Sequence, residues 1–105
     1  MKRLSPKPAL PDYQVLIKKL VIKRGFNKET VPEVFMLLLE ETGEFAKAAR
    51  KLSGVKVDKN SRRHELEEEA ADVFWLLIDL CNRLDIDLEK AFREKENKNQ
   101  KRKWS

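Results

Sequence analysis

Within residues 34–52, and again within 66–84, apolar side chains recur at the spacing of one face of an α-helix. At about 100° per residue, Val34, Leu37, Leu38, Phe45, Ala48 and Leu52 fall on one stripe, and Leu66, Ala70, Val73, Leu77, Leu80 and Leu84 on another. Two shorter periodic runs flank them, with Val15, Leu16, Leu20 and Val21 in the first and Leu88 to about Lys98 as the last. The pattern predicts four helices and no strand, an all-α fold. Asp12 after Pro11 is read as the cap of the first helix, with Gly25 ending it. Thr30-Val31-Pro32-Glu33 has the form of a capping box for the second, which stops at Gly54. Ser61 is read as the cap of the third after a polar loop over 53–61, and Asp87 as the cap of the fourth. Residues 1–10, basic and holding Pro6 and Pro8, read as a loose arm; residues 11–105 form one domain.

Two positions break the apolar stripes. Glu41 stands in the middle of the second helix's stripe, with Glu44 on its edge one turn later. Glu69 stands within the third helix's face, with Asp72 beside it. A carboxylate taken out of water alone is costly, so it must be neutralised, paired with a cation or bound to a metal. Two i, i+3 acid pairs on facing helices suit a divalent cation held between them; burial beside Lys or Arg is the other role that fits. Glu40, Glu67 and Glu68 read as solvated.

Both long helices also carry apolar residues off their main stripes: Phe35, Met36 and Leu39 on the second, Trp75 and Ile78 on the third. A helix that is apolar on two faces needs cover on both, which four helices in a small monomer do not easily supply. The expectation is a homo-oligomer, with core or interface as the role of these side chains and a nucleobase-stacking surface as the alternative for Trp75 or Phe35.

Composition narrows the classes. Charged residues make up 39% of the chain and hydrophobic ones 41%, with three Gly and four Pro, as suits a helical protein. No apolar run reaches the length of a membrane span and the N-terminus lacks a signal-peptide core, which predicts a soluble cytoplasmic protein. The single cysteine, Cys81, sits on an apolar face and reads as core. The net charge is +5, unevenly spread: residues 1–28 carry eight Lys or Arg against one acid, and residues 89–105 seven against three. Basic ends around an acidic centre suit a metal-bound polyphosphate ligand. No recognised nucleic-acid-binding motif accompanies the charge, so nucleic acid is not the expected partner.

Leu39-Glu40-Glu41-Thr42-Gly43-Glu44-Phe45 and Glu69-Ala70-Ala71-Asp72-Val73 together resemble the paired acidic motifs of the MazG-like nucleoside triphosphate pyrophosphohydrolases, an all-α superfamily. Asp85-Ile86-Asp87-Leu88-Glu89-Lys90-Ala91-Phe92, followed by Lys95, Asn99 and Arg102, is similar to the family's C-terminal signature. The likeness covers roughly residues 30–104. It implies a four-helix bundle completed by dimer or tetramer formation. It also implies cleavage of a nucleoside triphosphate between its α and β phosphates, serving removal of unwanted nucleotides. Glu41, Glu44, Glu69 and Asp72 would hold Mg²⁺, with Mn²⁺ as a substitute. Glu40 and Glu41 would take the catalytic role, and Lys95, Asn99 and Arg102 would grip the phosphates. The resemblance leaves the base pocket unassigned. Trp104 stands one place beyond the signature's aromatic, and His64 faces away from the acids.

Two other functions remain open on the sequence. Phosphoribosyl-ATP pyrophosphohydrolase shares similar acidic motifs, though the Lys95–Asn99–Arg102 tail argues against it. A non-catalytic helical oligomer that binds nucleic acid or protein would show no Mg²⁺-dependent turnover.

Overall fold

The computed structural model describes residues 4–54 and 59–102. Its four α-helices are α1 (Leu10–Lys23), α2 (Val31–Gly54), α3 (Lys59–Arg83) and α4 (Leu88–Lys101), with one 3₁₀ turn, Phe26–Lys28, between the first two. Helix α3 is the axis of the molecule. One side of it packs along α2 and another against α1, while α4 lies on α1. Among the described residues there is no strand, and no helix is long and apolar enough to cross a membrane.

Most helix ends follow from local chemistry. At α2 the box closes in both directions: the Thr30 N–H donates to Glu33 Oε1 at 2.8 Å, and the Glu33 N–H donates to Thr30 Oγ1 at 3.3 Å. Those bonds, the backbone one first, hold the Glu33 carboxyl below the usual carboxylate range. Asp87 accepts from the Lys90 N–H at 3.1 Å and starts α4. Gly25, at φ 76°, turns the chain out of α1 in a left-handed conformation that costs glycine little.

Two expected caps are corrected. Helix α1 begins at Leu10, so Asp12 lies inside the first turn, where it accepts from the Ala9 N–H at 2.8 Å instead of capping. Helix α3 begins at Lys59, which puts Ser61 within its first turn. The helices therefore occupy much of the polar loop expected over 53–61, of which residues 55–58 lie outside the described residues. Leu10, assigned to the loose arm, packs against the core.

The end of α3 uses a device with no glycine in it. Asp85 adopts φ 56°, its N–H donates to the Asn82 carbonyl, and the Ile86 N–H reaches back to the Cys81 carbonyl at 2.8 Å. This is the Schellman arrangement, with an aspartate in the left-handed position. Gln14 then ties the turn to α1. Its side-chain amide donates to Asn82 Oδ1 and to the Ile86 carbonyl, each at 2.9 Å, and its Oε1 accepts from the Leu88 N–H at 3.1 Å. Asn82 Nδ2 donates back to the Gln14 carbonyl at 2.9 Å. One polar side chain thereby fixes where α4 starts.

The core forms where α1 meets α3: Ile17, Val21 and Ile78 are buried together, with Leu10, Phe74, Trp75 and Leu88 packed around them. Tyr13 meets Phe74 edge to face, ring centres 5.2 Å apart. This corrects the expected division of faces. Ile78, expected on a face awaiting another subunit, is fully buried within its own chain, and Trp75 packs beside it. On α1, Ile17 is buried whereas Val15 is mostly exposed. Leu77 on α3 and Leu84, just past its end, are exposed. The cause is the position of α1, which covers the Phe74–Ile78 face. Periodicity reports which residues share a face and is silent on which helix will cover it. Against α2, Val34 and Ala48 are buried as expected, and Cys81 is buried with its thiol pushed up by desolvation. Phe35, Met36 and Leu39 remain exposed.

Candidate active site

Helices α2 and α3 form an antiparallel hairpin, and its interior face carries the acids. Glu41 and Glu44 are one turn apart on α2, as are Glu69 and Asp72 on α3, so each helix presents two carboxylates along one line. Glu41, Glu69 and Asp72 come together: each offers a carboxylate oxygen within 4.8 Å of those of the other two. Glu41 and Glu69 are half-buried and Asp72 is exposed. Glu44 is exposed beside them, close enough for its charge to act on Glu69.

Glu69 is where the cost concentrates. Its Oε2 is buried and has no hydrogen-bond partner, the one such side-chain oxygen or nitrogen among the described residues. Desolvation pushes its carboxyl above the usual range, helped by a hydrogen bond shared with the Glu41 carboxyl and by the charges of Glu41, Asp72 and Glu44. Every charge named there is negative. Structural carboxylates out of water are paired with a cation or fully hydrogen-bonded. A carboxylate with one buried, donorless oxygen, grouped with two further acids and near a third, matches what a hard divalent ion requires of its ligands. The donor set thus fits a metal. Burial beside Lys or Arg is the other role open to these acids; among the described residues, the charges acting on Glu69 are those of Glu41, Asp72 and Glu44.

The remaining site residues fall in different places. Glu40 is exposed, next along α2 from Glu41 and so turned about 100° away from the three-acid group. Lys95, Asn99 and Arg102 lie on or at the end of α4, which packs on α1; Lys95 and Arg102 are exposed and Asn99 is half-buried. None of the three lines the cavity beside the acids. His64 sits on the outer side of α3, its Nε2 2.8 Å from Glu68 Oε1, facing away from the site as expected. Trp104 lies outside the described residues. Gly43, between the acids of α2, is not there for lack of room: a methyl group at its Cα would meet nothing within 4 Å.

A cavity of about 250 Å³ opens beside the acids, lined by Leu37, Glu41, Asp72, Trp75 and Leu76. Sequence reasoning singled out Trp75 for its aromatic ring and missed Leu76. The usable signal was spacing: residues three and four past Asp72 share its side of α3. Behind the cavity, the Trp75 ring stands nearly perpendicular to that of Phe26, at 83° and 6.5 Å. The turn that carries Phe26 is in turn held by Arg83. Its Nη2 donates to the Phe26 carbonyl at 2.8 Å, its Nη1 to the Glu29 carbonyl, and its Nε to Asp79 Oδ1 at 3.0 Å.

Residues 29–104 match the family model of the MazG nucleotide pyrophosphohydrolase domain. The chain is also similar to the Gene 37 protein of Mycobacterium phage L5, at 35% identity over 99 residues that span 87% of this chain and 85% of the phage protein. The matched stretch contains both acid-bearing helices, α2 and α3. The chain belongs to the MazG nucleotide pyrophosphohydrolase family.

Proposed function

We propose that this protein hydrolyses nucleoside triphosphates to nucleoside monophosphate and pyrophosphate, using Mg²⁺ held between α2 and α3, with Mn²⁺ able to replace it. The observation that carries the proposal is the partnerless buried oxygen of Glu69 among like charges. Such an arrangement opposes folding when empty and becomes favourable around a cation. Glu41, Glu69 and Asp72 would hold the ion, and Glu44, one turn along α2, would complete the acidic face. A divalent ion bound here supplies charge neutralisation for the phosphates and a more acidic coordinated water.

In the reaction a water oxygen bonds to the α phosphorus, the bond from that phosphorus to the bridging oxygen breaks, and pyrophosphate leaves. Glu41, half-buried in the three-acid group, is assigned the water's proton. Glu40 is assigned the outer flank of the attacking water. Lys95, Asn99 and Arg102 are assigned the phosphate chain from their spacing of four and three along one face of α4, where three donors can grip one polyphosphate. The exposed apolar residues Phe35, Met36 and Leu39 are assigned to contact between subunits of a homodimer or homotetramer, and light scattering that reports a monomer at micromolar concentration would remove that part. Elimination of unwanted nucleotides is the physiological role proposed.

The test is a panel of canonical and modified triphosphates incubated with Mg²⁺, with the products separated by chromatography. Monophosphate and pyrophosphate are expected. A nucleoside diphosphate with orthophosphate would show that a different bond is cut.

A further inference from the structure

We propose that Trp75, between Leu37 and Leu76, is the surface on which the nucleobase stacks, a proposal that rests on the triphosphate reading above. The acids and the apolar wall share one cavity: Glu41 and Asp72 line it together with these three residues. At about 250 Å³ it is smaller than a typical pocket for a whole ligand. It therefore suits one flat ring, with the phosphates lying outside over the acids.

The geometry orders the parts. Because α2 and α3 run antiparallel, stepping back from Glu41 to Leu37 and forward from Asp72 to Trp75 moves the same way along the hairpin. At about 1.5 Å of rise per residue, the apolar wall lies about one helical turn from the acids. A sugar and its α phosphate fill a gap of that order. The base then falls on Trp75 when the outer phosphates lie at the acids.

The indole is also held for the purpose. Its ring is braced by Phe26 at a near-perpendicular angle, and the Phe26 turn is clamped by two Arg83 hydrogen bonds. Its inner side packs against the Ile17–Val21–Ile78 core. A ring fixed from behind loses little freedom when a base settles on its open side. Leu37 and Leu76 are apolar, and Glu41 and Asp72 are committed to the metal. The indole N–H is the single fixed donor in the wall. Recognition here is by stacking, which every base can supply, and not by reading a base edge.

The experiment compares wild-type protein with Trp75→Phe and Trp75→Leu, both of which keep an apolar side chain against the core. Each is assayed with a nucleoside triphosphate and with ribose 5-triphosphate, which lacks the base. For the nucleotide, Trp75→Leu should raise KM roughly 10-fold, as expected for one lost stacking partner. Trp75→Phe should raise it less than about threefold, since an aromatic face remains. For the base-free triphosphate all three proteins should share one KM, and kcat should stay near the parent value throughout. Equal effects of Leu and Phe, or an equal loss on the base-free compound, would overturn the proposal and leave Trp75 a packing residue. A second readout needs no turnover. A nucleoside monophosphate added without metal should quench tryptophan emission in the wild type and not in Trp75→Phe, where Trp104 is the remaining tryptophan. Persistent quenching in that variant also counts against it. If the wild type cleaves no triphosphate, the proposed reaction fails while the quenching result still decides where the base sits.

Discussion

Glu69 and Asp79 are two acids ten residues apart on the same helix, both drawn out of water, and they are treated in opposite ways. Asp79 is 4% exposed, and its Oδ1 receives the Arg83 guanidinium at 3.0 Å. Arg83 spends its other donors on the Phe26 and Glu29 carbonyls, so the cluster closes on itself. Among the described residues, Glu69 has a buried oxygen with no donor, and the charges acting on it are all those of acids. A protein that can pair a buried acid with an arginine on the next turn has the means to do so again ten residues earlier. That it leaves Glu69 unpaired separates a device for holding the fold from one for holding a ligand.

Breaking each side of that contrast has a different signature. The largest effect belongs to the fold-holding side. Arg83→Met strips Asp79 of its cation and frees two carbonyls of the α1–α2 turn. Unfolding free energy should fall by about 3–5 kcal/mol, as for other broken buried ion pairs. Urea denaturation measures it, and a loss below about 1 kcal/mol, the range of surface pairs, would mean the cluster holds nothing.

On the ligand side, Glu41→Gln keeps shape and removes one anionic oxygen from the three-acid group. Turnover with Mg²⁺ should drop about 100-fold or more, while the fold survives. A variant with near-parental turnover would break the metal assignment for Glu41.

A pH series sharpens the comparison further. Glu69's carboxyl is raised in the folded state, so the folded protein holds that proton more tightly than the unfolded chain does. Without metal, its contribution therefore favours folding at pH values below the ordinary glutamate range. That contribution is lost as pH rises from that range through the raised one. The metal-free stability of the wild type relative to Glu69→Gln should fall across that window. A difference that stays flat from acid to neutral pH would show that Glu69 is no different from a solvated acid.

The smallest expected change lies at the end of α3. Asp85→Gly relieves a left-handed backbone at φ 56° but gives the unfolded chain more freedom, so a gain of less than about 1 kcal/mol is expected. Thermal melts would detect it, and a clear loss would mean that the aspartate side chain is needed there.

How much of this was legible in the sequence follows from the range of each interaction. Thr30–Glu33 and Asp87–Lys90 are contacts between residues three apart, and both can be read from the chain. The acid pairs were legible for the same reason, because i, i+3 spacing on an apolar face is local information. The Gln14–Asn82 bond joins residues 68 apart and Arg83 meets Glu29 from 54 apart, with no local pattern to announce either. Ile78 shows the same limit in apolar form: its face was visible, and the identity of its cover, α1 instead of another subunit, was a tertiary fact. Asp85 was hidden because the left-handed position is expected of glycine or asparagine. The placement of α4 on α1, with Lys95 and Asn99 outside the wall of the acid cavity, was likewise beyond what spacing carries.

The central claim is that Glu69 is a strained ligand awaiting a cation, and thermal melting of Glu69→Gln beside the wild type, with and without Mg²⁺, tests it most directly. Without metal, Glu69→Gln should melt higher than the wild type, because a carboxylate disfavoured by desolvation and by its acidic neighbours has been removed. With Mg²⁺ the order should reverse, because the wild type gains the binding free energy and the variant most of it loses. If Glu69→Gln melts at or below the wild type without metal and both proteins gain equally from Mg²⁺, Glu69 is no ligand and the site is not where the acids converge.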